Sequence, residues 1–365
     1  MGGIVGALLL GGASAQARVP PPSPGGTPLL VGFLDDPNFR WRPDRTRMLD
    51  KAHATGARLI RAIVRWNLVA PERPGPGELP FDEPQMYELD DLVWQARIRG
   101  MEVLLTIWGT PAWANGGELP NHAPTHARDL RRFAFALAQR YPRVRRYAVW
   151  NEPNTEQFLA PQFDEAGRSV APQSYARLFR AAYAGIKATN PRALVAIGET
   201  SSHGLDAPSS NVIQDSHSPA LFAELLSRVR PQPQFDAWAH HPYPVTATGA
   251  PDEASPWPSV TMASLDAFGE ALDRWFGRKQ IPLWVTEYAY EASPADPFGV
   301  TPELQAEYAA RALTMAADVP RVQLFVWFTF RDDETNNWQS GLLDRRGRAR
   351  PLYSRFTAAT RSVTS

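Results

Sequence analysis

Cysteine is missing from all 365 residues of this chain. That excludes disulfides, thiolate metal sites and a cysteine nucleophile. A surplus of either charge is also missing: Lys+Arg and Asp+Glu number 38 each. No basic excess is left over for a phosphate backbone, so general nucleic-acid binding is not expected. No G-x-S-x-G elbow, P-loop or dinucleotide fingerprint occurs, and neither does H-E-x-x-H. His122 and His126 have the i, i+4 spacing of a helical metal pair, but Pro124 between them argues against a regular helix, and no metal site is expected.

Present in quantity are 35 prolines and 12 tryptophans, within a chain that is 44% hydrophobic and 21% charged. Such a composition supports a sizeable core and rules out wholesale disorder. Near the start, the apolar run Ile4–Leu10 is followed by small residues at Ala13, Ala15 and Ala17. The pattern fits a signal peptide over residues 1–17, although no Lys or Arg precedes Arg18. The run is too short to span a bilayer. A Pro/Gly-rich linker is expected over 18–28, then one catalytic domain over 29–365. Secretion follows as an expectation, with no membrane partner once the leader is removed and an open oligomeric state.

Short apolar runs recur along that domain, at Leu29–Phe33, Arg58–Val64, Glu102–Ile107, Tyr147–Trp150, Leu194–Gly198, Phe235–Ala239, Leu283–Thr286 and Val322–Phe328. Continuous rather than alternating runs suit parallel strands buried on both faces. Helical patterns such as Thr125–Tyr141 and Ser174–Thr189 lie between them, the second stopping at Asn190-Pro191. Eight strands alternating with helices predict an α/β fold, a single-domain (β/α)8 TIM barrel. The loops after strands 5, 6 and 7 are expected to be long.

In such a barrel chemistry sits at the carboxyl ends of the strands. Polar and aromatic residues crowd there: Asp35-Asp36, Arg65-Trp66-Asn67, Trp108-Gly109, Asn151-Glu152-Pro153-Asn154, His240-His241-Pro242-Tyr243, Glu287-Tyr288 and Arg331-Asp332-Asp333. Glu152 directly follows the fourth strand and Glu287 the seventh, so both should project over the barrel mouth. Two facing carboxylates suit glycoside hydrolysis, one protonated as acid and the other ionised as nucleophile or base. A separation of about 5.5 Å implies retention of anomeric configuration, and about 6.5–9.5 Å implies inversion.

Val149-Trp150-Asn151-Glu152-Pro153-Asn154 closely resembles the acid/base motif of clan A glycoside hydrolases, and Val285-Thr286-Glu287-Tyr288 resembles that clan's nucleophile strand. Leu104–Ala114, Tyr175–Gly198 and Gly341–Phe356 look typical of bacterial members near families 5 and 39. The resemblance spans Leu29 to Phe356. It implies a retaining barrel enzyme that needs no cofactor, with Glu152 as acid/base and Glu287 as nucleophile. It further implies that Asn151 binds the sugar 2-hydroxyl, that Arg61 keeps the nucleophile ionised, and that His241 lines the site near the acid/base. Tyr243 would donate to Glu287, and Trp327 would form the floor beneath the cleaved sugar. Arg65 shares the strand parity of Arg61 and competes with it. His240 competes with His241, whose H-x-Y spacing favours it.

Tryptophan rings suit the C–H faces of sugars. Trp108, Trp66 and Trp338 join Trp327 as candidate platforms, whereas Trp94, Trp238, Trp275 and Trp284 are assigned to the core or helix layer. Asp332-Asp333 either touches substrate or caps its loop. Glu199, Asp236 and Glu291 lie near strand ends but carry no motif. The expected partner is a carbohydrate with a β-linked glycosidic bond. A transglycosylase using the same glutamates and a non-catalytic sugar-binding barrel are the alternatives.

Overall fold

The computed structural model describes residues 28–335 and 338–364. The expected leader and nearly all of the linker lie outside the described residues. Eight parallel strands close into a ring in sequence order: β1 (Leu30–Leu34), β2 (Leu59–Arg65), β3 (Glu102–Trp108), β4 (Arg146–Val149), β5 (Leu194–Thr200), β6 (Ala237–His240), β7 (Leu283–Tyr288) and β8 (Val322–Phe328). Pairing of Leu30 with Leu324 through Leu34 with Phe328 closes it. The longer helices packed outside are α1 (Arg45–Ala54), α2 (Glu83–Ile98), α3 (Ala127–Arg140), α4 (Ala171–Thr189), α5 (Pro219–Arg228), α6 (Leu265–Phe276), α7 (Pro302–Asp318) and α8 (Pro351–Thr364). The predicted barrel is the observed one, and every expected strand is found within a few residues of its apolar run. Among the described residues no helix is long and apolar enough to cross a membrane.

Strand alternation divides the apolar residues into two cores. The larger lies between barrel and helices, and includes Phe33, Trp238 and Phe356. The smaller fills the bore: Leu59, Leu104, Ala148, Ala196, Ala237, Ala239, Trp284, Leu324 and Val326. Four alanines around one indole follow from packing, since a closed eight-strand bore is filled by interdigitating large and small side chains. Gly32 belongs to the same economy of space, because a Cβ there would lie 2.4 Å from the Leu59 carbonyl oxygen.

The loops after β5, β6 and β7 are long, as expected. The segments 150–170 after β4 and 329–350 after β8 are long as well. The β8 loop is held by Asp332 and Asp333 rather than offering them to substrate: Asp332 pairs with Arg350, and Asp333 with Arg42 at 2.6 Å. His122 and His126 share no helix, because His126 only precedes α3.

Candidate active site

Over the carboxyl ends of the strands opens a cleft of about 1330 Å3. Glu152 and Glu287 face each other across it, with carboxylate oxygens within 4.8 Å. Each reaches this position through irregular backbone. Beyond β4, Trp150 and Glu152 have φ of 76° and 38°, in the left-handed region that side chains normally avoid. Their amides are tied to the Ile107 and Glu199 carbonyls at 2.7 and 2.9 Å. Glu287 lies within β7, not after it. There the register against β8 slips between Val285 and Tyr288, which turns Glu287 into the cleft while Tyr288 packs in the outer core.

Arg61 lies beneath the two carboxylates, fully buried, and all five of its guanidinium N–H groups find acceptors. Nε donates to Thr106 Oγ1, one terminal nitrogen to the Thr286 carbonyl and Glu287 Oε2, all at 3.0 Å. The other terminal nitrogen donates to Asn151 Oδ1 at 3.0 Å and Glu199 Oε2 at 2.6 Å. Arg65, on the same strand face, sits higher, at the rim, with its guanidinium 5.7 Å from the Trp108 ring. Arg61 is thus the arginine at Glu287. Tyr243 donates its hydroxyl to Glu287 Oε1 at 3.0 Å. Burial, followed by the Glu287 charge, pushes the Tyr243 pKa well above its ordinary value, so the phenol stays a donor.

The two histidines of β6 and its end point to opposite sides. His240 faces outward, bonded to Thr200 Oγ1 and the Val260 carbonyl, and burial pushes its pKa down to about 3. His241 faces inward, buried beneath the cleft, with Nδ1 2.9 Å from Glu152 Oε1 and Nε2 3.0 Å from Glu199 Oε2. Burial alone would depress this imidazole. The Glu287 charge and the bonds to Glu152 and Glu199 outweigh it and raise the pKa to about 9. Glu152, His241 and Glu287 converge closely enough to suggest a cation site. Both His241 nitrogens are spent on carboxylates, and Arg61 and Tyr243 already donate to Glu287. The donor set therefore fits proton chemistry and not metal ligation.

Two aromatic expectations need correction. Trp327 is fully buried and outside the cleft lining; it faces the helices, against Phe356 of α8 at 5.8 Å. Alternation on β8 explains this: Leu324 and Val326 point into the bore, so Trp327 points away and Phe328 lines the cleft. Trp66 is likewise buried, packed on Trp113 and Phe133. Trp108 and Trp338 do line the cleft, Trp338 lying 5.6 Å from the Tyr243 ring. Of the carboxylates without a motif, Asp236 pairs with Lys187 at 2.9 Å, away from the cleft. Glu291 lines the cleft and accepts from the Gln339 amide at 3.1 Å. Glu199 is in the centre of the network. Its place on β5 hid it: Ala196 points into the bore, so alternation sends residue 199 outward. A register slip against β6 between Gly198 and Thr200, with φ of 51° at Glu199, reverses that.

Comparison with known proteins agrees with this architecture. No curated protein sequence matches the chain. GH5_18 from Streptomyces cattleya, solved in complex with GlcNAc, superposes with a TM-score of 0.67 at 19% identity, over 93% of this chain and 81% of that one. A family 39 glycoside hydrolase from Bacteroides cellulosilyticus WH2 gives 0.64 at 20% identity, over 92% of this chain. The match takes in 64% of that enzyme, less than two thirds of its length. The exo-β-1,4-mannosidase Op5Man5 from Opitutaceae bacterium strain TAV5 gives 0.62 at 17% identity, over 92% of this chain and 60% of that one. At these identities the likeness is one of fold. The sequence model of the cellulase family, glycosyl hydrolase family 5, matches residues 29–327. A match running from the start of β1 into β8 places the chain in glycosyl hydrolase family 5, among the retaining glycosidases of clan A.

Proposed function

We propose that the chain cleaves β-linked oligosaccharides by double displacement, with Glu287 as nucleophile and Glu152 as acid/base. The observation that carries this reading is the approach of one oxygen from each carboxylate to within 4.8 Å across the cleft, which sides with the short separation of retention over the roughly 6.5–9.5 Å of inversion. Their surroundings support different roles. Glu287 accepts from two donors, the Arg61 guanidinium and the Tyr243 hydroxyl, as suits a nucleophile. Glu152 has one oxygen on His241 and is otherwise turned to the cleft.

In the first step a Glu287 oxygen bonds to the anomeric carbon while the glycosidic C–O bond breaks and the leaving oxygen takes the Glu152 proton. In the second, Glu152 takes a proton from water, whose oxygen displaces Glu287 from the sugar. Asn151, held by Arg61 and lining the cleft, is assigned to the sugar 2-hydroxyl. A cleft of about 1330 Å3 exceeds the roughly 300–1,000 Å3 usual for one small ligand, which favours an oligosaccharide over a single sugar. Trp108 and Trp338 are its stacking platforms. The leader-like residues 1–17 would carry the enzyme out of the cell.

The test is hydrolysis of a panel of aryl β-glycosides and polysaccharides by wild type, Glu287→Ala and Glu152→Ala, with the anomer of the first product read by proton NMR. Retention in wild type, and a loss of several orders of magnitude in Glu287→Ala, are expected. Inversion, or equal cleavage by wild type and Glu287→Ala, refutes the assignment. Product analysis at high acceptor sugar separates hydrolysis from transglycosylation.

A further inference from the structure

The two-carboxylate chemistry leaves a third carboxylate unexplained. Glu199 is wholly buried, and among the described residues its Oε1 has no hydrogen-bond partner. Both of its bonds therefore fall on Oε2, one from Arg61 at 2.6 Å and one with His241 Nε2 at 3.0 Å. Those two groups are also the ones that face the candidate nucleophile and acid. One continuous chain of contacts results, from Glu287 through Arg61, Glu199 and His241 to Glu152.

Each nitrogen–carboxylate contact in that chain needs a proton. Nε2 to Glu199 requires one, and Nδ1 to Glu152 Oε1 requires another. A neutral imidazole carries a single N–H. It would leave one contact with lone pairs opposed, unless a carboxyl group supplied the missing proton. Glu199 Oε2 already accepts from the Arg61 guanidinium at 2.6 Å, so the ring supplies the proton at that contact. The charged and titratable groups facing His241 come from every neighbouring strand: Arg61 from β2, Glu152 beyond β4, Glu199 from β5, His240 from β6 and Glu287 from β7. With Glu152 in its acid form, two carboxylates against one guanidinium, beside a neutral His240, favour an imidazolium.

We propose that Glu199 is a positioning residue for the acid step. It keeps both ring nitrogens of His241 protonated, so that Nδ1–H always occupies Glu152 Oε1 and the transferable proton of Glu152 is confined to Oε2. In glycosylation the Oε2–H bond breaks and its proton goes to the leaving oxygen. In the return step Oε2 takes a proton from water. His241 gains and loses none. The inference rests on Glu152 as acid/base, and it gives a role to a carboxylate buried behind the two that line the cleft.

Nitrogen NMR of the histidine side chains tests it without any substrate. In the wild type at pH 8 both His241 nitrogens should be protonated, and in Glu199→Gln one of them should lose its proton. A singly protonated ring in the wild type overturns the proposal whether or not the variant folds. The kinetic arm takes the sugar identified by the aryl β-glycoside panel and compares its dinitrophenyl β-glycoside, whose phenolate leaves without acid help, with its phenyl β-glycoside, whose phenolate needs it. Glu199→Gln should lose about tenfold to a hundredfold in kcat/KM on the phenyl substrate and less than about threefold on the other. Equal losses on both substrates would mark a merely structural residue and overturn the proposal. If Glu287→Ala is inactive while Glu199→Gln matches wild type on both, the proposal falls alone. If Glu152→Ala and Glu287→Ala stay fully active, the glycosidase roles fall, and the proposal with them.

Discussion

Replacing Arg61 by methionine tests the centre of the network most severely. The side chain is fully buried, and its five N–H groups serve Thr106, Thr286, Glu287, Asn151 and Glu199. Methionine fills comparable space but strips Glu199, itself without solvent contact, of one of its two cations. Removing one partner of a buried ion pair costs about 3–5 kcal/mol, because the other charge stays buried and uncompensated. With a urea slope of about 3 kcal/mol/M, the unfolding midpoint should fall by about 1–1.7 M. Activity should fall separately. One hydrogen bond to a charged group contributes about 1.5–3 kcal/mol, so loss of the Arg61 bond to Glu287 predicts a drop of about tenfold to a hundredfold in kcat/KM under conditions where the variant is folded. Arg61→Lys restores the charge with three donors in place of five, and should recover stability more than activity. The assays are urea unfolding followed by tryptophan fluorescence, and initial rates on an aryl β-glycoside. A methionine variant whose midpoint stays within about 0.3 M of wild type and whose kcat/KM is unchanged would refute the reasoning.

Two further outcomes follow from the same geometry. Trp338→Ala should raise KM about threefold to tenfold with little change in stability, as expected for one lost stacking platform, whereas Trp327→Ala should cost about 3–5 kcal/mol in unfolding and leave KM unchanged; the reverse pattern would show that Trp327 reaches substrate. The β6 histidines should titrate far apart, His241 near pH 9 and His240 near pH 3. A folded pKa raised above the unfolded 6.5 gives stability that is complete below pH 6.5 and lost as pH rises through 9, while the depressed His240 costs stability as pH falls below 6.5; unfolding measured from pH 4 to 10, with His241→Asn as control, should show both slopes.

Much of this was legible before any coordinates. The eight apolar runs, Glu152, Glu287 and the H-x-Y pair all depend on local patterns that survive folding, and parity alone limited the arginine to two positions. Parity failed wherever backbone irregularity overrode it. Glu199 is turned inward by a register slip that no residue type announces, since a glutamate at φ 51° breaks local preference for the sake of tertiary contacts. Trp327 failed for the opposite reason. β8 is regular at that position, and the alternation from Leu324 should have sent the indole outward. Parity could not separate Arg61 from Arg65, because depth along the barrel axis is not encoded in alternation; the family resemblance chose Arg61, and the structure agrees.

The network around Arg61 of β2 draws residues from β3, β5 and β7 and from the ends of β4 and β6. Its most distant members, Arg61 and Glu287, are 226 positions apart in the chain. None of the hydrogen bonds centred on that guanidinium links neighbours in sequence. Nothing in a half-formed ring brings these charges together. Turnover is therefore a report on ring closure itself: a population of chains stalled with an open barrel would retain helices and strands by circular dichroism, yet hydrolyse nothing.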